Sequence, residues 1–294
     1  MKLATFRFDG PPRVGVVDPA AGRIWPADEL ADEPIADMLQ LIRSWARLRE
    51  RLAPRGPGLE LSRVTLEAPI PRPPRNVLCV GKNYRAHAHE FTRSGYDSSA
   101  KGAADAVPTA PVVFTKAPET VIGPDQPIRY PDGVSEQVDY EAELAVVLGT
   151  AGRGIRPEDA QRHVFGYTIV NDVTARDLQA RHKQWFLGKS LDTFCPMGPW
   201  IVTADEIDLA AGLEVRCWVN GELRQQGDTR DLVFDLPTLL AALSAGLTLQ
   251  QGDVLATGTP AGVGIGFDPP RFLRRGDRVR IAISGIGVLE NEVV

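Results

Sequence analysis

Residues 136–148 read EQVDYEAELAVVL, and no other stretch constrains the fold of this chain as strongly. The segment alternates with period two. Val138, Tyr140, Ala142, Leu144, Val146 and Leu148 fall on one side, and Asp139, Glu141, Glu143, Ala145 and Val147 on the other. That pattern predicts a half-buried strand. Its odd side begins with three acids and then turns apolar. Residues two apart on a strand sit about 6.6 Å from each other on one side, because the rise is about 3.3 Å per residue. Carboxylates so aligned repel one another and resist desolvation as the strand enters a core. A hard divalent cation would compensate best. The competing reading is a solvated acidic patch at the mouth of a strand.

A chain of 294 residues is long enough for one large or two modest domains. The 33 basic and 38 acidic residues leave a net charge of -5, which gives no footprint for nucleic acid or an anionic membrane. No apolar run approaches the ~20 residues of a membrane span. The start, MKLATFRFDG, lacks a secretory pattern. Cys79, Cys195 and Cys217 lie far apart without a CxxC, as buried thiols of a reducing compartment do. A cytoplasmic protein is expected.

Weak alternation over residues 2–30, divided by Asp9-Gly10-Pro11-Pro12 and Asp18-Pro19, predicts two or three short strands. From Pro34, apolar residues from Ile35 to Leu52 recur every three or four positions, which predicts one amphipathic helix. The proline-rich segment EAPIPRPPR at 67–75 is stiff and marks a boundary. A small α+β domain is therefore expected over 1–70 and a larger one over 71–294. In the second part, residues 76–80 predict a buried strand and residues 83–91 a short helix. Residues 92–110 lack periodicity and are rich in Ser, Ala and Gly, so 82–110 is expected to act as a lid over a bound ligand. Val164–Val170 predicts a strand ending at Asn171-Asp172. Thr174 and Asp177 have the spacing of a capping box before a helix reaching about His182. Further strands are expected near 200–203, 213–219, 253–256 and 278–284, and a last helix over 236–247.

Two nucleotide motifs are excluded. Gly188-Lys189-Ser190 imitates the end of a phosphate-binding loop, but the first glycine of that motif is replaced by Lys183. Gly262, Gly264 and Gly266 imitate a dinucleotide fingerprint, but Asp268-Pro269-Pro270 leaves no room for the helix. These glycines suit a tight turn or a close backbone approach to a ligand. Asp172, at a strand end, is a turn residue or a third oxygen donor beside Glu141 and Glu143. All-carboxylate ligation selects Mg²⁺, Mn²⁺ or Ca²⁺ over Zn²⁺. On a helix His87 and Glu90 share one side, as a general-base dyad or a surface pair. Lys189 is a cation for a developing oxyanion or an exposed lysine.

Five motifs in order carry a resemblance: GKNYRAHAHE at 81–90, DYEAEL at 139–144, NDVTARDLQ at 171–179, GKS at 188–190 and TGTPAGVG at 257–264. Over roughly 76–294 the chain resembles the fumarylacetoacetate hydrolase family, in its acylpyruvase and 2-hydroxyhepta-2,4-diene-1,7-dioate isomerase-like branch. The resemblance implies an α+β fold, a mainly-β mixed sandwich or roll with a small amino-terminal domain, and a homodimer. It implies a Mg²⁺ or Mn²⁺ ion, with Ca²⁺ as a third candidate, held by Glu141, Glu143 and Asp172. It implies a water-activating dyad of His87 and Glu90 with Lys189 as the third catalytic residue. Tyr84, Arg176, Gln179 and Thr259 are implied around a small oxo-acid substrate. The expected reaction is hydrolysis of a C–C bond in a 2,4-dioxo acid through a metal-held enolate. Decarboxylation or isomerisation of a related acid of aromatic catabolism would use the same enolate. The alternative of another class is a metal-stabilised binding protein without turnover.

Overall fold

The acidic stretch folds as two strands, Val138–Asp139 and Ala142–Leu148, interrupted at Tyr140 and Glu141. The computed structural model describes residues 1–97 and 102–294. Every residue of Ala142–Leu148 is buried, so the expected half-buried strand is corrected to one covered on both sides. The alternation nevertheless has a structural meaning: it sorts side chains between two cores. Ala142, Leu144, Val146 and Leu148 pack in one core with Val215, Cys217 and Ile281. Ala145 and Val147 pack in another with Leu41, Ile42 and Leu48 from the amino-terminal helices.

Among the described residues the strand is central in a 12-stranded sheet. Antiparallel pairing places Glu143 opposite Val170 of the strand Val164–Asn171 and Ala145 opposite Ala256 of Val254–Ala256. Val254–Ala256 pairs in parallel with Val77–Gly81, and antiparallel Val112–Lys116 follows at the sheet edge. On its far side, Val164–Asn171 pairs with Cys195–Thr203, which pairs with Lys2–Arg7. The amino-terminal strands thus extend the large sheet. A second, four-stranded antiparallel sheet of Glu214–Val219, Glu222–Asp228, Arg278–Ile283 and Gly287–Glu292 covers one side. The fold is α+β, with mixed sheets and short helices.

Local expectations hold with three corrections. The strands near the amino terminus, Lys2–Arg7, Arg13–Asp18 and Arg23–Pro26, form as expected. The single helix expected from Pro34 is broken at Ser44 into Met38–Arg43 and Trp45–Leu48, followed by a 3-10 turn at Arg49–Leu52. The Asp37 carboxylate caps the first piece, accepting from Gln40 N at 2.7 Å. The capping box at 174–177 does not form. Thr174 is drawn into a two-residue ladder opposite Asp139, so Ala175 takes the N-cap position of Arg176–His182. Asp177 instead accepts from Ser135 Oγ at 2.6 Å. In place of the unstructured loop expected from 92, the helix Arg85–Arg93 continues two residues into it and a 3-10 turn occupies Ala103–Asp105. The loop expectation at 98–101 lies outside the described residues. The three cysteines are free and buried, and burial pushes the Cys195 thiol up to about 12. Among the described residues no helix is long and apolar enough to cross a membrane.

Candidate metal centre and substrate cavity

Sheet register assembles the acidic cluster. Asn171 lies opposite Ala142, so Asp172 and Glu141 leave adjacent strand ends together, and Asp172 N donates to the Glu141 carbonyl at 2.9 Å. The Asn171 side-chain oxygen accepts from Glu141 N at 3.1 Å. Glu143 is two residues further along, where its Oε2 accepts from Gly258 N at 2.9 Å. One oxygen from each of Glu141, Glu143 and Asp172 lies within 4.8 Å of the other two, and all three residues are buried.

Three buried cations answer this charge unevenly. Lys189 Nζ bridges Glu141 Oε2 and Asp172 Oδ2, each at 2.7 Å. Lys116 Nζ donates to Asp172 Oδ1 at 2.6 Å and to the Val173 carbonyl at 2.9 Å. Arg176 pairs through Nε with Asp139 at 2.9 Å and lies 2.7 Å from Glu141 Oε1. Glu143 has no ion-pair partner among the described residues. Burial, reinforced by Asp172 and Glu141, pushes the Glu143 carboxyl well above the usual range. For Glu141 burial acts in the same direction, but Lys189, Arg176 and His87 outweigh it and hold the group well below. Burial would lower Lys189, yet the Asp172 and Glu141 carboxylates leave it raised. An all-oxygen, three-carboxylate set with one uncompensated member fits a hard divalent cation.

The third acid of the alternation, Asp139, has a different task. Besides Arg176 it accepts from Gly264 N at 2.6 Å and Ile265 N at 3.2 Å. The glycine loop therefore approaches carboxylates of the protein itself. Gly262 N donates to Glu90 Oε1 at 2.9 Å, and a Cβ on Gly266 would fall 1.9 Å from that oxygen. Glu90 in turn meets His87 Nδ1 through Oε2 at 3.1 Å.

His87, Glu141, Glu143, Arg176, Gln179, Lys189 and Thr259 line one narrow cavity. Glu90 and Asp172 stand behind it as partners of His87 and Lys189. Gln179 accepts from Arg176 at 3.1 Å, and Thr259 Oγ1 accepts from Gln225 at 2.7 Å. Tyr84 is not in this group: it lines a neighbouring cavity with Arg85 and His89. Sequence reasoning missed Lys116, which is fully buried. The available signal was a lone cation closing the apolar run PVVFT at 111–115. It also missed the apolar wall: Phe114 lies under Lys189 Nζ at 4.7 Å and packs edge-on against Trp185 at 5.3 Å.

Residues 76–294 match the family model described as fumarylacetoacetate (FAA) hydrolase, C-terminal. Oxaloacetate tautomerase YisK of Bacillus subtilis (strain 168) is 53% identical over 233 residues, 79% of this chain and 74% of the relative. Fumarylacetoacetate hydrolase from psychrophilic Exiguobacterium antarcticum is 45% identical, with a TM-score of 0.84 over 100% of this chain and 99% of the other. Maleylpyruvate hydrolase from Sphingobium sp. SYK-6, solved with manganese (II) and pyruvate, is 35% identical, with a TM-score of 0.79 over 100% and 99%.

Proposed function

The chain belongs to the fumarylacetoacetate hydrolase family and is an enzyme of it, and we propose that it interconverts the enol and keto forms of oxaloacetate or a close 2-oxo dicarboxylic acid. The observation that carries this reading is one cavity with a three-carboxylate cluster on one side and a histidine–carboxylate pair on the other. The choice among the family's reactions rests on the likeness to the Bacillus tautomerase.

Glu141, Glu143 and Asp172 would hold Mg²⁺ or Mn²⁺, which supplies Lewis acidity and a template for the 2-oxo-carboxylate end of the substrate. The manganese in the Sphingobium relative supports that choice. Lys189 fixes two of the carboxylates and adds positive charge to the cavity. Glu90 accepts from His87 Nδ1–H, so Nε2 is the basic nitrogen. In the enolising direction Nε2 takes a proton from C3. The C–H pair becomes the C2=C3 bond, the carbonyl pair moves onto O2, and O2 takes a proton from solvent. Ketonisation is the reverse. Gln179 and Thr259 are substrate-facing groups, and the active form is a homodimer.

Hydrolysis of an acylpyruvate is the second reading, favoured by the likeness to maleylpyruvate hydrolase and by a dyad equally suited to activating water. One assay separates the two. Enol oxaloacetate is mixed with enzyme and Mg²⁺ or Mn²⁺, the ultraviolet absorbance of the enol is followed, and pyruvate and CO₂ are quantified. Rapid loss of absorbance without cleavage products is expected. Ketonisation no faster than buffer with metal, alongside cleavage of an acylpyruvate, would replace the tautomerase with the hydrolase.

A further inference from the structure

Resting on that reading, we propose that Lys82 is the specificity residue that binds the distal carboxylate of a 2-oxo dicarboxylic acid. Among the described residues the cavity is lined by four basic side chains: Lys82, His87, Arg176 and Lys189. Three are engaged with the acidic cluster or with the proton-carrying dyad. Arg176 is taken up by Asp139, Glu141 and Gln179, and Lys189 by Glu141 and Asp172. His87 is tied to Glu90.

Lys82 differs from them. It is only 3% exposed, yet it lies outside the acidic cluster, and among the described residues its single side-chain partner is Asp97, at 2.8 Å from Nζ. An ammonium carries three donors, so two remain for a second acceptor. The backbone at Lys82 is left-handed, with φ of 57°. That region disfavours any residue with a Cβ, and a lysine there is held by its surroundings. Asp97 itself also accepts from Thr92 Oγ1 at 2.7 Å. Lys82 lines the cavity and is anchored at both ends, by a strained turn and by a buried carboxylate, with donor capacity left.

Charge supports the assignment. A C4 2-oxo dicarboxylate presents one carboxylate beside the 2-oxo group and another at the far end. The first belongs with the cluster of Glu141, Glu143 and Asp172. The second needs a cation that this cluster has not consumed, because burying an unpaired carboxylate is costly. Among the basic groups lining the cavity, Lys82 meets that condition.

The test compares oxaloacetate with its 4-methyl ester, which lacks only the distal charge. Removing Lys82 alone would take one partner from the buried Asp97 carboxylate, so the double variant Lys82→Met/Asp97→Asn is the main probe, with Asp97→Asn as its control. The double variant should raise KM for oxaloacetate about 10- to 100-fold, the worth of a charge-assisted hydrogen bond, with kcat within a few-fold. Turnover of the ester should be unchanged, and Asp97→Asn alone should keep the preference for oxaloacetate. Calorimetry with Mn²⁺ gives a readout without turnover: the double variant should bind oxalate normally and oxaloacetate weakly. Equal losses for diacid and ester in the double variant would overturn the assignment and leave Lys82 a structural ion pair. Absence of any tautomerase activity in the wild type would sink the parent reading, while the calorimetric contrast would still decide the role of Lys82.

Discussion

The two sides of the cavity are built differently. The acidic floor grows from the middle of the large sheet, and its carboxylates are held by sheet register, by Lys116 and Lys189, and by the backbone of Gly258. The opposite wall is the nine-residue helix Arg85–Arg93, which carries His87 and Glu90. That wall is tethered by Gly262 N on Glu90 and flanked by the Lys82–Asp97 pair. A floor fixed by non-local pairing can impose one geometry on a metal ion. A wall on a short helix is held by side-chain packing and the Glu90 tether, with no strand ladder to fix it. The proposed template and the proposed proton carrier therefore stand on differently built elements, and substitutions on each side should fail in different ways.

Glu143→Ala should give the largest effect. It removes the one carboxylate of the cluster without an ion-pair partner, so metal binding by calorimetry and activity should both fall to background. The metal-free fold should survive, because the lost group is buried and repelled by Asp172 and Glu141. Full activity of this variant in chelator would falsify the ligand assignment. On the wall, His87→Ala should lower ketonisation by about 10²–10⁴-fold, the usual worth of a general acid–base residue. Metal affinity should stay as in the wild type. Weakened metal binding in that variant would mean that floor and wall are one unit.

A smaller effect concerns pH. The Glu143 carboxyl is raised above its ordinary 4.5, so its contribution to stability is complete below pH 4.5 and is lost as pH rises through the folded value. Glu141 is depressed, so its contribution is present above pH 4.5 and is lost only as pH falls through its folded value. In chelator, thermal stability should therefore decline as pH climbs above 4.5, by at most about 1.4 kcal/mol per unit for one proton. Saturating Mg²⁺ should flatten the decline, and so should Glu143→Ala. A metal-free protein that gains stability over this range would contradict the raised Glu143 carboxyl. The smallest expected change is in hydrogen exchange on adding metal and oxalate. Amides of Arg85–Arg93 should slow several-fold, while those of Ala142–Leu148 stay at their slow limit. Equal slow exchange of both segments with and without ligand would remove the contrast between them.

Much of the site was legible because its chemistry is written locally. Alternation revealed the strand and its acids, and the spacing of three between His87 and Glu90 placed them together on a helix, where the structure has them 3.1 Å apart. Local pattern said least where a distant partner decides the outcome. Asp139 looked equivalent to Glu141 and Glu143, but the interruption at Tyr140 and Glu141 turns it towards Arg176 and the glycine loop. Thr174 had the spacing of a cap, and a ladder with Asp139 removed it from that position. Tyr84 belongs to a motif beside the dyad, yet it turns into the neighbouring cavity.

The sequence by itself determined the kind of chemistry available: an all-oxygen donor set, a histidine–carboxylate pair and a strand apolar enough to carry acids inward. Those are properties of residue type and of periods two and three to four, which neighbouring residues impose on each other. Tertiary structure alone decided which carboxylates meet, which of them a cation answers, and that Lys82 remains with donors to spare. Glu141 and Lys189 are 48 positions apart and Lys116 and Asp172 are 56 apart. Contacts at such separations depend on strand register and on which side of a sheet is covered, and no local period encodes either.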